Sequence, residues 1–254
     1  MSKTKRKTED KPTLFTPMTL RGVTARNRIW MPPMDTYSVF DMDGRPTNFH
    51  YQHYVSRAMG GFGLIIFEAT AVAPEGRISP CDLGLWDDAQ IDSYRWIVDG
   101  VKKAGAVAGI QLNHAGRKGS TDCFSLRTKT GYVPPEKGGW QTVAPSDIAF
   151  EGLPTPRALS VDEIHEIVNR FRDAAWRAMQ AGFDVIEIHA AHGYLLSEFL
   201  DPLVNTVTTN MAAHWRIVCA SSLKWQTLSA RLFATICRCS CAFRPRTGLK
   251  AAGM

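Results

Sequence analysis

Four short apolar runs, each closed by polar residues and spaced by helix-periodic segments, restrict this 254-residue chain to a parallel α/β architecture. The runs are 28–32, 63–71, 106–112 and 184–189. Between them, His50–Met59 and Asp88–Lys103 read as helices, stopped by Gly60-Gly61 and by Gly105. Ser160-Val-Asp-Glu163 fits a capping box. It opens a third helix with Ile164, Ile167, Phe171, Ala174 and Ala178 on one face, closed by Gly182. Residues 13–27 alternate apolar and polar around Arg21-Gly22, which predicts a hairpin ahead of the first strand. A doubly wound sheet and a (β/α)8 barrel both fit this order. No Gly-x-Gly-x-x-Gly follows the first strand, which weighs against a dinucleotide-binding sheet. Polar residues stand after every strand: Asp35 and Tyr37, Glu68 and Thr70, Gln111 and Asn113, His189 and His192. A barrel keeps its active site at that end. The loop from about Asn113 to Leu159 is long enough to be a lid or substrate loop.

Charge divides the chain in two. The net charge is +6, yet the last acidic residue is Asp201, and Pro202–Met254 holds seven basic residues and four of the six Cys. Residues 1–201 carry 23 basic and 24 acidic groups, so the basic character belongs to the end and not to the globular part. The domain reading is a disordered basic tail over 1–12, a globular unit over 13–205 and a separate segment over 206–254. The first twelve residues have charge without an apolar core behind them, unlike a secretory signal. No apolar run approaches the roughly 20 residues of a membrane helix. Sparse Cys suits a reducing compartment, and the expected location is the cytoplasm, with neither membrane nor nucleic acid as partner.

The densest chemistry lies in Glu187-Ile-His-Ala-Ala-His-Gly-Tyr194. His189 and His192, three residues apart, can converge on one oxygen as paired hydrogen-bond donors, and Tyr194 can supply a proton from a weak acid. The same two imidazoles could instead be metal ligands with Glu68 or Asp35, as in a metal-dependent barrel hydrolase. Gln111 is an amide that can give and accept at once on a heterocycle edge, or a buried Gln bonded to backbone. Met31-Pro-Pro-Met-Asp-Thr-Tyr37 is a rigid exit from the first strand.

Taken together, these pieces resemble the Old Yellow Enzyme family, FMN-dependent ene-reductases on a (β/α)8 TIM barrel, in its thermophilic-like branch. The resemblance covers about residues 13–205. It rests on Leu14-Phe-Thr-Pro17, Arg26-Asn-Arg28, Pro33-Met34 with Tyr37, Glu68-Ala69, Gly76-Arg77, Gln111-Leu-Asn-His-Ala-Gly-Arg-Lys118, Ala144-Pro-Ser146 and His189–Tyr194. It implies the N-terminal half of such a barrel behind an N-terminal hairpin. It implies Pro33, Met34 and Ala69 as a backbone cradle for the flavin ring, and Gln111 on its pyrimidine edge. His189 and His192 would bind a substrate carbonyl oxygen, Tyr37 would contact substrate and Tyr194 would donate the proton. NADPH or NADH would reduce FMN, which would pass hydride to the C=C of an α,β-unsaturated carbonyl. Asp35 stands where this branch carries Cys or Thr near the flavin. An ionised carboxylate there would oppose the reduced flavin, so a raised Asp35 pKa or an altered flavin potential is expected. A family-typical potential, unchanged in Asp35→Cys, would rule this out.

The resemblance stops after Asn205. The family continues with a run of the type Arg-Thr-Asp-Glu-Tyr-Gly-Gly-Ser-Leu-Glu-Asn-Arg, where this chain reads Val207-Thr-Thr-Asn-Met-Ala-Ala-His-Trp-Arg-Ile-Val218. From the third base of the Thr208 codon, Thr209 and Asn210 permit Asp-Glu, and the step into Met211 permits Tyr. Met211-Ala212 forces Gly, and the remainder permits Gly-Ser-Leu-Glu-Asn-Arg. Residues from about 207 therefore read as a frameshifted or mis-spliced translation. An open half barrel would expose the edges of its first and fourth strands. It would lack the phosphate side that the family builds from later strands. FMN binding would be weak or lost, with low solubility or a homo-oligomer that covers the edges. A third reading is a non-catalytic fragment whose basic tail binds an anionic partner.

Overall fold

The computed structural model describes residues 13–123 and 131–206. The tail readings for 1–12 and 207–254 lie outside the described residues, as does part of the long loop. A hairpin of β1 (Met18–Leu20) and β2 (Val23–Ala25) turns at Arg21-Gly22 as its alternation predicts. A parallel sheet follows, built from β3 (Trp30–Met31), α1 (Asn48–Met59), β4 (Leu64–Ala71), β5 (Leu83–Gly84), α2 (Ile91–Lys103) and β6 (Val107–Asn113). The long connection carries β7 (Val143–Ala144) and β8 (Arg157–Ala158), which pair in parallel. Then come α3 (Val161–Gln180), β9 (Val185–Ile188) and α4 (Leu195–Leu200). The main strand order is β3-β4-β6-β9, the sequential order of a barrel, and β5 adds to the end of β4. Among the described residues, the outer edges of β3 and β9 pair with no strand. No helix among them is long and apolar enough to cross a membrane.

Local chemistry explains the element ends. β3 is only two residues long because Pro32 and Pro33 have no N–H to extend the ladder. Ser160 Oγ accepts from the Glu163 amide, and the Glu163 carboxylate accepts from the Ser160 amide, so the capping box forms. α2 and α3 both end two residues before a glycine of positive φ, Gly105 at +85° and Gly182 at +97°. That conformation turns the chain back into the next strand and costs a glycine little. The expected helix at 88–103 begins as a 3-10 turn, Asp88–Gln90, capped by Asp87.

The core lies between the sheet and its helices. All eight residues of β4 are buried, as expected of a strand covered on both faces. Tyr54 of α1 stacks on Phe67 of β4 with centroids 3.9 Å apart, and Phe183 meets Phe67 edge-on at 4.9 Å. The α3 stripe of Ile164, Ile167, Phe171, Ala174 and Ala178 is buried. Each large side chain there contributes roughly 1.5–3 kcal/mol.

Candidate active site

All four main strands run in parallel, so their carboxyl ends share one mouth. The turn after β3 is held by two carboxyl groups. Asp35 Oδ1 accepts from the Tyr37 amide at 3.2 Å, and Glu68 Oε1 accepts from the Thr36 amide and hydroxyl at 3.0 and 2.8 Å. Tyr37 is thereby held at φ +51°, a strained value for a non-glycine residue. Glu68 is fully buried. Its Oε2 accepts from Tyr54 Oη at 2.6 Å, and its backbone N–H donates to that Tyr54 Oη at 2.9 Å. His50 Nε2 stands 3.6 Å from Oε1. Burial pushes the Glu68 carboxyl up, but His50, Tyr54 and Thr36 outweigh it and hold it below its ordinary range. Glu68 is thus a core pin between β4, α1 and the first turn, which corrects its reading as a metal ligand. Its oxygens are committed, and the described residues hold no group of three His, Cys, Asp or Glu side chains able to bind a metal.

A register shift between Phe67 and Ala69 lets Glu68 take that place and aligns Ala69 with Gln111. Ala69, Ile78 and Ala115 form a small floor against which Tyr37 and Tyr194 pack. Gln111 is buried, and its Nε2 donates to Glu187 Oε1 at 2.6 Å. Pro33 is half-buried and Met34 is 50% exposed in the turn that leads to Tyr37. Asp35 Oδ2 is buried with no hydrogen-bond partner. Burial, with the charges of Asp82 and Glu68 adding to it, holds the Asp35 carboxyl well above its ordinary range. The direction is the one expected from its position.

His189, His192 and Tyr194 come together. Ring centroids are 5.0 Å apart for His189–His192, 4.9 Å for His189–Tyr194 and 6.4 Å for His192–Tyr194. The imidazoles do not both point at one empty position, however. His189 Nε2 and His192 Nδ1 are 3.2 Å apart and bond each other, because His192 sits at φ +57° with Gly193 at +71° behind it. His189 Nδ1 accepts from the Ala191 amide at 3.3 Å. Burial, then the charges of His192 and Lys118, bring His189 down to about 4, so it is neutral at pH 7. Its single proton is therefore on Nε2 and donates to His192 Nδ1.

Burial, with Asp35 and Asp82 adding to it, pushes Tyr194 up to about 12, so its phenol keeps its proton at neutral pH. The sequence assigns no role to four neighbours. Lys118 donates to the His192 carbonyl at 2.9 Å, and its Nζ lies 5.0 Å from the centre of the Tyr194 ring. Asp82, fully buried behind the floor, accepts from the Ile78 and Ser79 amides at 2.6 and 3.1 Å and from Ser79 Oγ at 2.6 Å. Glu187 holds Gln111. Glu198 of α4 is buried, and its Oε1 accepts from the Arg117 amide at 3.0 Å. Lys118 lies inside a quoted motif, but its direction depends on the turn Gly116–Lys118.

Burial pushes Glu198 up to about 8 from an ordinary 4.5. Between those values the unfolded chain releases the proton first, so this group removes stability as pH rises from about 5 to 8. Glu198→Gln takes the titration away. The loss of unfolding free energy between about pH 6 and 8.5 is expected to shrink by about 2 kcal/mol. Denaturant unfolding of both proteins at the two pH values measures this, and equal losses would contradict it.

The sequential parallel sheet, its outer helices and its polar strand ends are those of part of a (β/α)8 barrel. Comparison with known proteins narrows this. Residues 13–211 match the family model of the NADH:flavin oxidoreductase / NADH oxidase family. The NADPH dehydrogenase of Bacillus pumilus is 50% identical over 193 residues, 76% of this chain and 52% of the relative. That of Bacillus subtilis is 48% identical over the same shares. Among solved structures, morphinone reductase is similar with a TM-score of 0.65 at 34% identity, over 78% of this chain and 53% of that one. The old yellow enzyme homologue from Zymomonas mobilis gives 0.65 at 36% identity, over 78% and 54%. The chain belongs to the NADH:flavin oxidoreductase / NADH oxidase family, an FMN-dependent class of oxidoreductases, and its sheet is the N-terminal half of their barrel. It spans about half the length of the curated relatives it matches.

Proposed function

We propose that this chain carries the ring side of an FMN site and the substrate side of a reductase for α,β-unsaturated carbonyl compounds, with NADPH or NADH as reductant. The residues fit the group. Gln111 offers a buried amide whose Nε2 is held by Glu187, Asp35 Oδ2 is orphaned, and Ala69 belongs to the small apolar cluster on which Tyr37 and Tyr194 pack. Pro33 and Met34 stand in the turn that leads to Tyr37. FMN, when bound, supplies hydride transfer from the nicotinamide to the substrate β-carbon. The chain's own groups do the rest. His189 Nε2–H, freed from His192, and the His192 Nε2–H hold the carbonyl oxygen as charge grows on it. Tyr194 gives its phenol proton to the α-carbon. Lys118 adds positive potential beside that oxygen.

The observation that carries this reading is the His189–His192–Tyr194 cluster beside a floor shared with Tyr37. The test is oxidation of NADPH by the purified chain with added FMN and 2-cyclohexenone, with the saturated ketone as expected product. NADPH consumption without saturated ketone would contradict it. The phosphate side of the site belongs, by the family resemblance, to later strands, so FMN binding is proposed to be weak. We also infer that the reading frame shifts near Thr208, and sequencing of gene and transcript checks this. A shifted frame that fails to encode Asp-Glu-Tyr-Gly-Gly-Ser-Leu-Glu-Asn-Arg would contradict it.

A further inference from the structure

Gln111 and Glu187 are register partners across the β6–β9 ladder. Their side chains meet at 2.6 Å, Gln111 Nε2 to Glu187 Oε1. A carboxylate only accepts, so it selects which end of the amide faces it. Nε2 turns to Glu187 and Oε1 turns away. Gln111 is 8% exposed, and six of the seven β6 residues are buried, so packing holds the amide in that plane. An amide without such a neighbour can turn over and exchange its donor and acceptor ends at little cost. We propose that Glu187 is a positioning residue that fixes the polarity of Gln111, so that the mouth presents an acceptor oxygen and selects a ligand carrying a ring N–H.

The proposal rests on the flavin reading above and deepens it. The feature recognised is the imide N–H of the pyrimidine ring, flanked by its two carbonyl groups. Oε1 accepts from that N–H, while the second hydrogen of Nε2 remains free for a flanking carbonyl oxygen. A flavin methylated at this nitrogen offers Oε1 no donor and leaves a buried acceptor unpaired.

The experiment titrates FMN and N3-methyl-FMN into the full chain, into Glu187→Gln and into Glu187→Leu, reading the quenching of flavin fluorescence. The chain is expected to prefer FMN by about tenfold or more, the worth of one hydrogen bond to a buried group. Glu187→Gln narrows the preference, because its amide can face Gln111 with either its acceptor or its donor end. Glu187→Leu brings the ratio of the two affinities close to one. A purely structural role for Glu187 would weaken both flavins alike in Glu187→Leu and leave the ratio intact, which overturns the proposal. Equal affinities in the unaltered chain also overturn it. A chain that quenches neither flavin overturns the flavin reading, and this inference with it.

Discussion

Glu68→Ala is expected to lower the unfolding free energy by about 3–5 kcal/mol, the cost of removing one partner from a buried charged network. The side chain is fully buried and serves three elements at once. Its loss leaves the Thr36 amide and hydroxyl and the Tyr54 hydroxyl without their acceptor. It also opens a cavity between α1 and β4. The turn after β3 then loses one of the two carboxyl groups that hold Tyr37 at positive φ. Glu68→Gln should cost far less, about 1–2 kcal/mol, since its oxygen still accepts from Thr36 and its amide can donate to Tyr54. Urea unfolding of the three proteins gives these differences. A loss below about 1 kcal/mol for Glu68→Ala would mean that the pin does not hold the turn.

Tyr194→Phe is expected to lower the rate of enone reduction by about 10²–10⁴-fold, the usual contribution of a positioned acid. The phenyl ring keeps the packing against Ala69 and the contact with Lys118. Stability and flavin affinity should therefore move little. Because burial holds the phenol near 12, the wild-type rate should show no loss attributable to Tyr194 ionisation between about pH 6 and 9. Stopped-flow measurement of flavin reoxidation by 2-cyclohexenone separates this step from reduction by NADPH. A Tyr194→Phe rate within a factor of about three of wild type would place the proton source elsewhere.

Much of this was legible in the chain, and what was not has one physical cause. The hairpin, the four strands and α3 are local matters of periodicity, capping and glycine placement. The His189–Tyr194 cluster was legible for the same reason: all three side chains come from one six-residue turn. Contacts that depend on register or on a bulge were not. Gln111 and Glu187 lie 76 positions apart and meet only because β6 and β9 pair in one alignment. Glu68 looks like a strand-end carboxylate in the sequence, but the irregularity before Ala69 commits it to the core. The mutual hydrogen bond of the two imidazoles depends on His192 in a left-handed conformation, which spacing alone does not disclose. β5, β7 and β8 are two-residue bridges with no period to detect.

The most direct measurement of the central claim is a fluorescence titration of the purified chain with FMN, beside Gln111→Leu. The account predicts saturable one-to-one quenching that Gln111→Leu weakens by about tenfold or more, since the ring loses its pairing amide. Quenching that never saturates, or that Gln111→Leu leaves unchanged, would contradict a flavin site at this mouth.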